Sequence, residues 1–269
     1  MPVTGNVKGD REHMNILVSN DDGIDSIGLL KLVKELSTIG DVYVCAPNSQ
    51  RSAYSHHFTL SGKMKFEEKH VEGAVKAYSL GGTPVDCVHC GKQFIFKDIN
   101  FDLVVSGINT SWNVSSDAIY SGTVAAAREG LIMGIPSIAM SLAAKTYTEE
   151  YEYAAKVAKE VALLYLEDEN KKEYFLNVNV PNMKESDIKG IRVCDGTGYV
   201  EYDEGYYFDE DEDGKYVVLG KGRVTLNIDE HNRYIDINAL EDGYISLTPF
   251  TLDQTSRGYM KYCKDKYSK

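Results

Sequence analysis

The chain has little of what a stapled, membrane-spanning or polyanion-binding protein needs. Its 269 residues contain only five cysteines, Cys45, Cys87, Cys90, Cys194 and Cys263. An odd number, so widely spread, is not the dense framework of a secreted disulfide scaffold and points to a reducing compartment, the cytoplasm. No run of about 18 apolar residues occurs, and the opening MPVTGNVKGDREH lacks an apolar signal stretch, so neither a membrane span nor an export signal is expected. Residues 1–13 read as a polar leader outside the fold, and the two Asn-x-Ser/Thr matches at Asn109 and Asn113 as chance. Positive charge is also scarce: 29 Lys and Arg face 41 Asp and Glu, a net charge of -12. Such a surface repels polymeric nucleic acid at long range. A small phosphorylated ligand stays compatible, because a bound cation inverts the local field.

What is present is alternation. NILVSN is a short apolar run, Gly28 to Leu36 has helical spacing, and DVYVCAP is apolar again, a βαβ opening. Strands are expected near Met64 to Glu68 and Val75 to Leu80, a helix after Thr83-Pro84 and a buried strand at FDLVVSG. A helix follows from Ser121 to about Met133, then a strand at Pro136-Ser-Ile-Ala-Met-Ser, a long amphipathic helix from Glu149 to Leu166 and a strand at FLNVNV. Continuous apolar strands alternating with helices imply an α/β fold, a Rossmann-like, doubly wound, mostly parallel sheet in three α/β/α layers. Beyond about Lys189 the texture becomes Gly-punctuated and Tyr-rich, as in GYVEYDEGYYF, which suits a β-hairpin-rich extension. The expected organisation is a core over 14–188 and an extension over 189–269, with a strand and segment at 243–257 returning to the core.

Open α/β sheets bind ligands beyond the carboxyl ends of their strands, so polar residues after strand runs are the candidates. Asn20-Asp21-Asp22-Gly23 places two carboxylates side by side, where both stay ionised only if a cation or basic group neutralises them. Taken alone the doublet reads first as an Asx-type turn; a hard, oxygen-ligated cation such as Mg²⁺ or Mn²⁺ is the functional alternative. Ala46-Pro47-Asn48-Ser49-Gln50-Arg51-Ser52 follows the second strand with a hydroxyl and a guanidinium. Ser106-Gly107-Ile108-Asn109-Thr110-Ser111-Trp112-Asn113 offers amide oxygens and N–H groups. Tyr120-Ser121-Gly122-Thr123 opens a helix, whose free N–H groups and dipole suit an anion, although Ser121 is equally a plain N-cap.

These segments, NDDG, APxxxRS, GGTPxDCV, DLVVSGIN and YSGTVAAAxEG in this order, resemble the survival protein SurE family of metal-dependent 5'/3'-nucleotidases, strongly from about Met14 to Leu142, with GYISLTPF as a C-terminal echo. The resemblance implies one Mg²⁺ or Mn²⁺ per subunit held by Asp21, Asp22, Ser52 and Asn109, and a phosphate bound by Asn113, Ser121, Gly122 and Thr123. It implies a phosphoric monoester hydrolase, a 5'-nucleotidase acting on nucleoside 5'- and 3'-monophosphates, with short polyphosphate a further substrate class. From the chemistry, Asp21 or Asp22 is placed to accept the proton of an attacking water, with a covalent aspartyl-phosphate as the alternative. It also implies a homodimer or homotetramer assembled through C-terminal elements.

Three departures from the family pattern stand out. Ser111 and Ser115 replace glycines of the loop after Asn109, Ala53 replaces the glycine after the metal-binding serine, and Arg257 stands where the family has a histidine. Arg257 is a further phosphate-side candidate, able to clamp an oxyanion but not to shuttle protons.

Other signals carry less. Cys87-Val88-His89-Cys90 has no second Cys-x-x-Cys pair and reads as helical, buried thiols. His56 and His57 read as loop or substrate-mouth residues, and Asp209-x-Asp211-x-Asp213-Gly214 as a hairpin tip, because its twelfth position is Gly220 rather than Glu. The tyrosines from Tyr199 to Tyr207 suit base stacking or an oligomer interface. The rival from another class is a phosphoacceptor, receiver-like signalling module, which needs an Asp after the third strand where DLVVSGIN has Ser and Asn. A dinucleotide oxidoreductase is disfavoured by the lack of G-x-G-x-x-G.

Overall fold

The computed structural model describes residues 14–143, 151–203, 205–211, 213–219, 223–229 and 231–268. The first six described residues, Met14–Ser19, form β1; Ile27–Leu36 form α1 and Gly40–Pro47 form β2. Next come β3 (Phe66–Lys69), β4 (Ala74–Leu80), α2 (Pro84–Cys90), β5 (Leu103–Asn109), α3 (Asp117–Tyr120) and α4 (Gly122–Ile132). The core continues through β6 (Ser137–Ala143), α5 (Tyr151–Leu166) and β7 (Phe175–Pro181). After it follow β8 (Ile191–Val193), β9 (Tyr199–Asp203), β10 (Tyr206–Asp211), β11 (Gly214–Leu219) and β12 (Arg223–Asn227). The last elements are α6 (Asp236–Glu241), β13 (Ile245–Phe250) and α7 (Arg257–Tyr267). The expected helix at 149–166 begins, as far as the described residues go, at Tyr151. The leader 1–13 and Gly220 lie outside the described residues. No described helix is long and apolar enough to cross a membrane.

Among the described residues, nine strands form one sheet in the order β3-β4-β2-β1-β5-β6-β7-β13-β8. Neighbours from β4 to β7 run parallel, β3 pairs antiparallel with β4, and β13 pairs antiparallel with β7 and parallel with β8. This is the mostly parallel α/β fold expected. Period-2 alternation divides each central strand between two helical layers. Ile16 and Val18 of β1 pack with α1 and α5 through Leu29, Leu32, Val33, Ala154 and Ala158, whereas Leu17 packs with α2 and α4 through Cys87, Val88 and Ala126.

Local chemistry starts each helix. The Ser26 hydroxyl accepts the Leu29 N–H as the N-cap of α1. Thr83 and Asp86 form a reciprocal capping box, with Pro84 in the first turn of α2. The Cys-x-x-Cys lies on α2 as expected. Burial raises the Cys87 thiol pKa well above its ordinary value, which keeps it protonated and unreactive.

The C-terminal portion is not hairpins alone. β10 and β11 form one hairpin and β9 pairs with β12, but β8 and β13 belong to the main sheet and α6 packs beside β13 and β7. The Asp211 carboxylate accepts the Asp213 and Gly214 N–H groups and closes the β10–β11 turn. Neither α6 nor α7 was expected; α7 carries no buried residue.

Close packing fixes α1 against the sheet. A Cβ added to Gly28 would lie 2.0 Å from the Ile108 carbonyl oxygen and 3.2 Å from the Tyr151 ring. Both obstacles belong to the packed core, so Gly28→Ala is expected to destabilise the fold by about 3 kcal/mol in urea denaturation. A shift below about 0.5 kcal/mol would show that the layer gives way instead.

Candidate active site

Strand order reverses between β1 and β5: the chain winds outward through β2 and β4 on one side and through β6 and β7 on the other. The crevice beyond the carboxyl ends at such a switch point is where open sheets take ligands. A cavity of about 270 Å³ lies there. Asp21 and Asp22 from the loop after β1, Ser52 from the loop after β2, Asn109 from the end of β5, and Asn113 and Ser121 all line it. Sequence segments some 100 positions apart are thus brought together.

The acidic doublet is held in place. Asn20, with no exposed surface, donates to the Gly23 carbonyl at 2.8 Å and to Ser26 Oγ at 2.7 Å, and accepts the Gly23 N–H. Asn20 thus makes the turn that presents the two aspartates to the cavity. Asp21 is 5 % exposed and accepts the Thr123 hydroxyl at 2.5 Å. Burial pushes its carboxyl up to about 6; the Thr123 bond opposes the rise and the neighbouring Asp22 adds to it. Asp22 accepts the Thr110 N–H at 3.2 Å, and burial outweighs this bond and the Gln50 contact to hold its carboxyl above the usual range too. Side by side and largely out of water, the two carboxylates are costly to ionise unless a positive charge neutralises them. The Asn109 amide N–H₂ donates to the Ser111 carbonyl at 2.8 Å, so its oxygen remains as acceptor, and Ser52 Oγ takes a bond from Gln50 at 3.0 Å. Two carboxylates, an amide oxygen and a hydroxyl are the donor set of a hard cation. Among the described residues no group of three or more His, Cys, Asp or Glu is placed to hold a metal.

The phosphate-side candidates divide. Ser121 caps α4 by accepting the Val124 N–H at 3.1 Å and also faces the cavity. Gly122 and Thr123 do not line it. A Cβ on Gly122 would meet Asp21 Cβ at 2.9 Å, so the glycine lets the α4 N-terminus approach the carboxylate closely. The fully buried Thr123 hydroxyl is engaged with Asp21 rather than turned to a ligand. Arg257 is not brought to the cavity at all. It begins α7, its side chain is 82 % exposed and it pairs with Asp253, because α7 does not pack on the core of its own chain.

Sequence reasoning passed over Asp117, which also lines the cavity, and quoted Gln50, Trp112 and Tyr120 without giving them a role. It also left Asp236 and Glu129 unread. Ser115 has φ +49 and Ala53 φ +58, the left-handed region that favours glycine, at two of the positions where the resemblance implies glycine. At Ser115 the strain is offset: its N–H and hydroxyl both bond the fully buried Asp236 carboxylate, at 2.7 and 2.6 Å. The preceding residues are equally fixed. The Asn113 N–H donates to Asn179 at 2.8 Å and its side chain to Ser141 at 2.8 Å, while Asn177 donates to its carbonyl. His56, expected in a loop or at the substrate mouth, bonds Glu129 at 3.0 Å, and His89 bonds the same carboxylate at 2.8 Å. Burial favours a neutral Glu129, but the two imidazoles outweigh it and hold the carboxyl below the usual range. Tyr199, Tyr206 and Tyr207 are exposed and not part of the cavity lining.

An acidic cleft at the switch point of a doubly wound sheet, with a helix N-terminus beside paired aspartates, defines the class: a doubly wound α/β protein with a polar ligand cleft at its switch point. The model described as survival protein SurE matches residues 16–201. The 5'-nucleotidase SurE of Clostridium beijerinckii is 41% identical over 246 residues, 90% of this chain and 94% of that protein. The 5'-nucleotidase SurE of Syntrophomonas wolfei is 36% identical over 256 residues, 95% of each. The crystal structure of the SurE protein from Aquifex aeolicus superposes with a TM-score of 0.76 at 34% identity, covering 93% of this chain and 98% of that one. The chain belongs to the SurE family.

Replacing Asp236 leaves two donors of Ser115 buried and unpaired. Asp236→Ala is expected to lower stability by about 3 kcal/mol in thermal or urea unfolding. An unchanged midpoint would mean that water replaces the carboxylate freely.

Proposed function

We propose that the protein is a divalent-metal-dependent phosphomonoesterase that hydrolyses nucleoside 5'-monophosphates to nucleoside and phosphate, with 3'-monophosphates and short polyphosphate as further substrates. The observation that carries this reading is the convergence of Asp21, Asp22, Ser52, Asn109, Asn113 and Ser121 on one cavity. The names of the relatives support it. Asp21, Asp22, Ser52 and Asn109 would hold one Mg²⁺ or Mn²⁺, leaving about two positions of an octahedral shell for other oxygens. When bound, such a cation supplies Lewis-acid polarisation of a phosphoryl oxygen and lowers the pKa of water.

The chain's own groups do the rest. Ser121 has a hydroxyl proton to give to a phosphoryl oxygen while its oxygen caps Val124. Asn113 has a second amide N–H beyond the one bonded to Ser141. The α4 N-terminus attracts the anion, and Asp21 or Asp22 receives the proton of the attacking water. Thr123 and Gly122 serve by positioning Asp21.

We further propose a cytoplasmic enzyme, from the odd and scattered cysteines, with a core over 14–188. The segment after Lys189 is proposed to assemble a homodimer or homotetramer. Exposed Tyr206, Tyr207 and Phe208 on β10, with Tyr259 and Tyr262 on α7, support that assembly, which light scattering of the purified protein tests.

Chelator-treated protein should release no phosphate from AMP, GMP, CMP or UMP, and added Mg²⁺ or Mn²⁺ should restore release. Asp21→Asn should cost roughly 100-fold or more in kcat/KM while the circular dichroism spectrum stays unchanged. Full activity of Asp21→Asn, or no release from any monophosphate with either metal, would falsify the assignment.

A further inference from the structure

The cavity is lined almost entirely by polar side chains, the exceptions being Ala53 and two aromatics, Trp112 and Tyr120. A nucleotide needs more than a phosphate seat, because the flat faces of its base lose most by remaining in water. Trp112 is the chain's only tryptophan. It sits three positions beyond Asn109 and one before Asn113, within roughly 10 Å of chain from the cation-facing amide. It lines the cavity and is half-buried. It also packs against the apolar cluster of Val114, Val200, Ile235, Ile237 and Leu240.

The backbone on its C-terminal side is fixed by Asn179, and Ser115 is anchored to Asp236. The indole is thus pre-positioned, so little ordering cost attaches to its use. Tyr120 is a weaker alternative: it ends the single-turn α3 and is 55 % exposed, so ordering it costs more rotamer freedom.

Resting on the nucleotidase reading, we propose that Trp112 is the base platform of the site and a specificity-determining residue, stacking the nucleobase of a monophosphate whose phosphate lies at Asp21, Asp22 and Ser121. The larger ring system of a purine covers more of the indole, so purine nucleotides are the preferred substrate class. The family glycine replaced by Ser115 bears on this, since the Ser115–Asp236 bonds stiffen the loop that carries the platform.

Two readouts test it. Because Trp112 is the sole tryptophan, its selectively excited fluorescence reports directly on stacking: adenosine should quench it saturably and ribose should not. In turnover with Mg²⁺ or Mn²⁺, the ratio of kcat/KM for AMP to that for ribose 5-phosphate should fall roughly tenfold or more in Trp112→Leu. Trp112→Phe, which keeps an aromatic face and much of the packing, should retain most of the ratio. The proposal is overturned if adenosine leaves the fluorescence unchanged, if Trp112→Leu lowers both substrates equally, or if Tyr120→Leu collapses the ratio in its place. Absence of phosphate release from both substrates in the parent protein sinks the nucleotidase reading instead, and the adenosine titration still decides the stacking.

Discussion

Two carboxylates on consecutive residues, one buried and the other half-buried, at the end of a central strand, are the condition to which the rest of the site answers. Asp21 is 5 % exposed and Asp22 is its neighbour. Burial raises both carboxyl groups above their ordinary range. Leaving them without compensation would be costly. The surrounding elements provide it piece by piece. Thr123 gives a hydroxyl, Thr110 a backbone N–H, and Gly122 removes the side chain that would keep the positive end of α4 away. These groups come from the loop after β5 and from the start of α4 and meet the doublet in the loop after β1, so satisfying the doublet and assembling the cavity are one event.

The second layer is a set of buried polar bonds that stop the loop between β5 and α3 from wandering. Asn113 is tied to Asn179 and Ser141 at the ends of β7 and β6, and Ser115 to Asp236 on α6. Asn177 and Asn179 lie on the face of β7 opposite Leu176, Val178 and Val180, which pack under α5. An apolar strand thereby gives its other face to the site. Ser116 extends the linkage outward, accepting the Val200 N–H at 2.8 Å. The β9–β12 ribbon is therefore continuous, through hydrogen bonds, with the residues that face the cavity.

Much of this was readable from sequence, and the divisions have physical causes. The parallel core was visible because its strands are continuous apolar runs, and the helix starts because Thr83-Pro84 and Ser121 carry local capping chemistry. The β1 doublet, Ser52 and Asn109 were visible because each follows a strand. Asp236 was not, since an aspartate following a Gly-punctuated, polar stretch has no periodic signature and acquires meaning only from Ser115, 121 positions away. The contacts of Gly122 and Thr123 with Asp21 were hidden in the same way: in one dimension a helix start shows its free N–H groups, not the carboxylate its first residues pack against. The His56–Glu129–His89 cluster was equally hidden, its members coming from a loop and two separate helices.

The position of β13 has a consequence of its own. All seven residues of β7 are buried, yet its outer neighbour is not the next strand in the chain but β13, which begins more than sixty residues later. During synthesis β7 therefore emerges as the rim of an unfinished sheet, with hydrogen-bonding groups and apolar side chains uncovered until the final strand arrives. The ribbon and hairpin between them are made in that interval. The protein must protect a sticky edge for the time needed to translate its own extension, which makes the last strand the lock of the fold rather than an accessory to it.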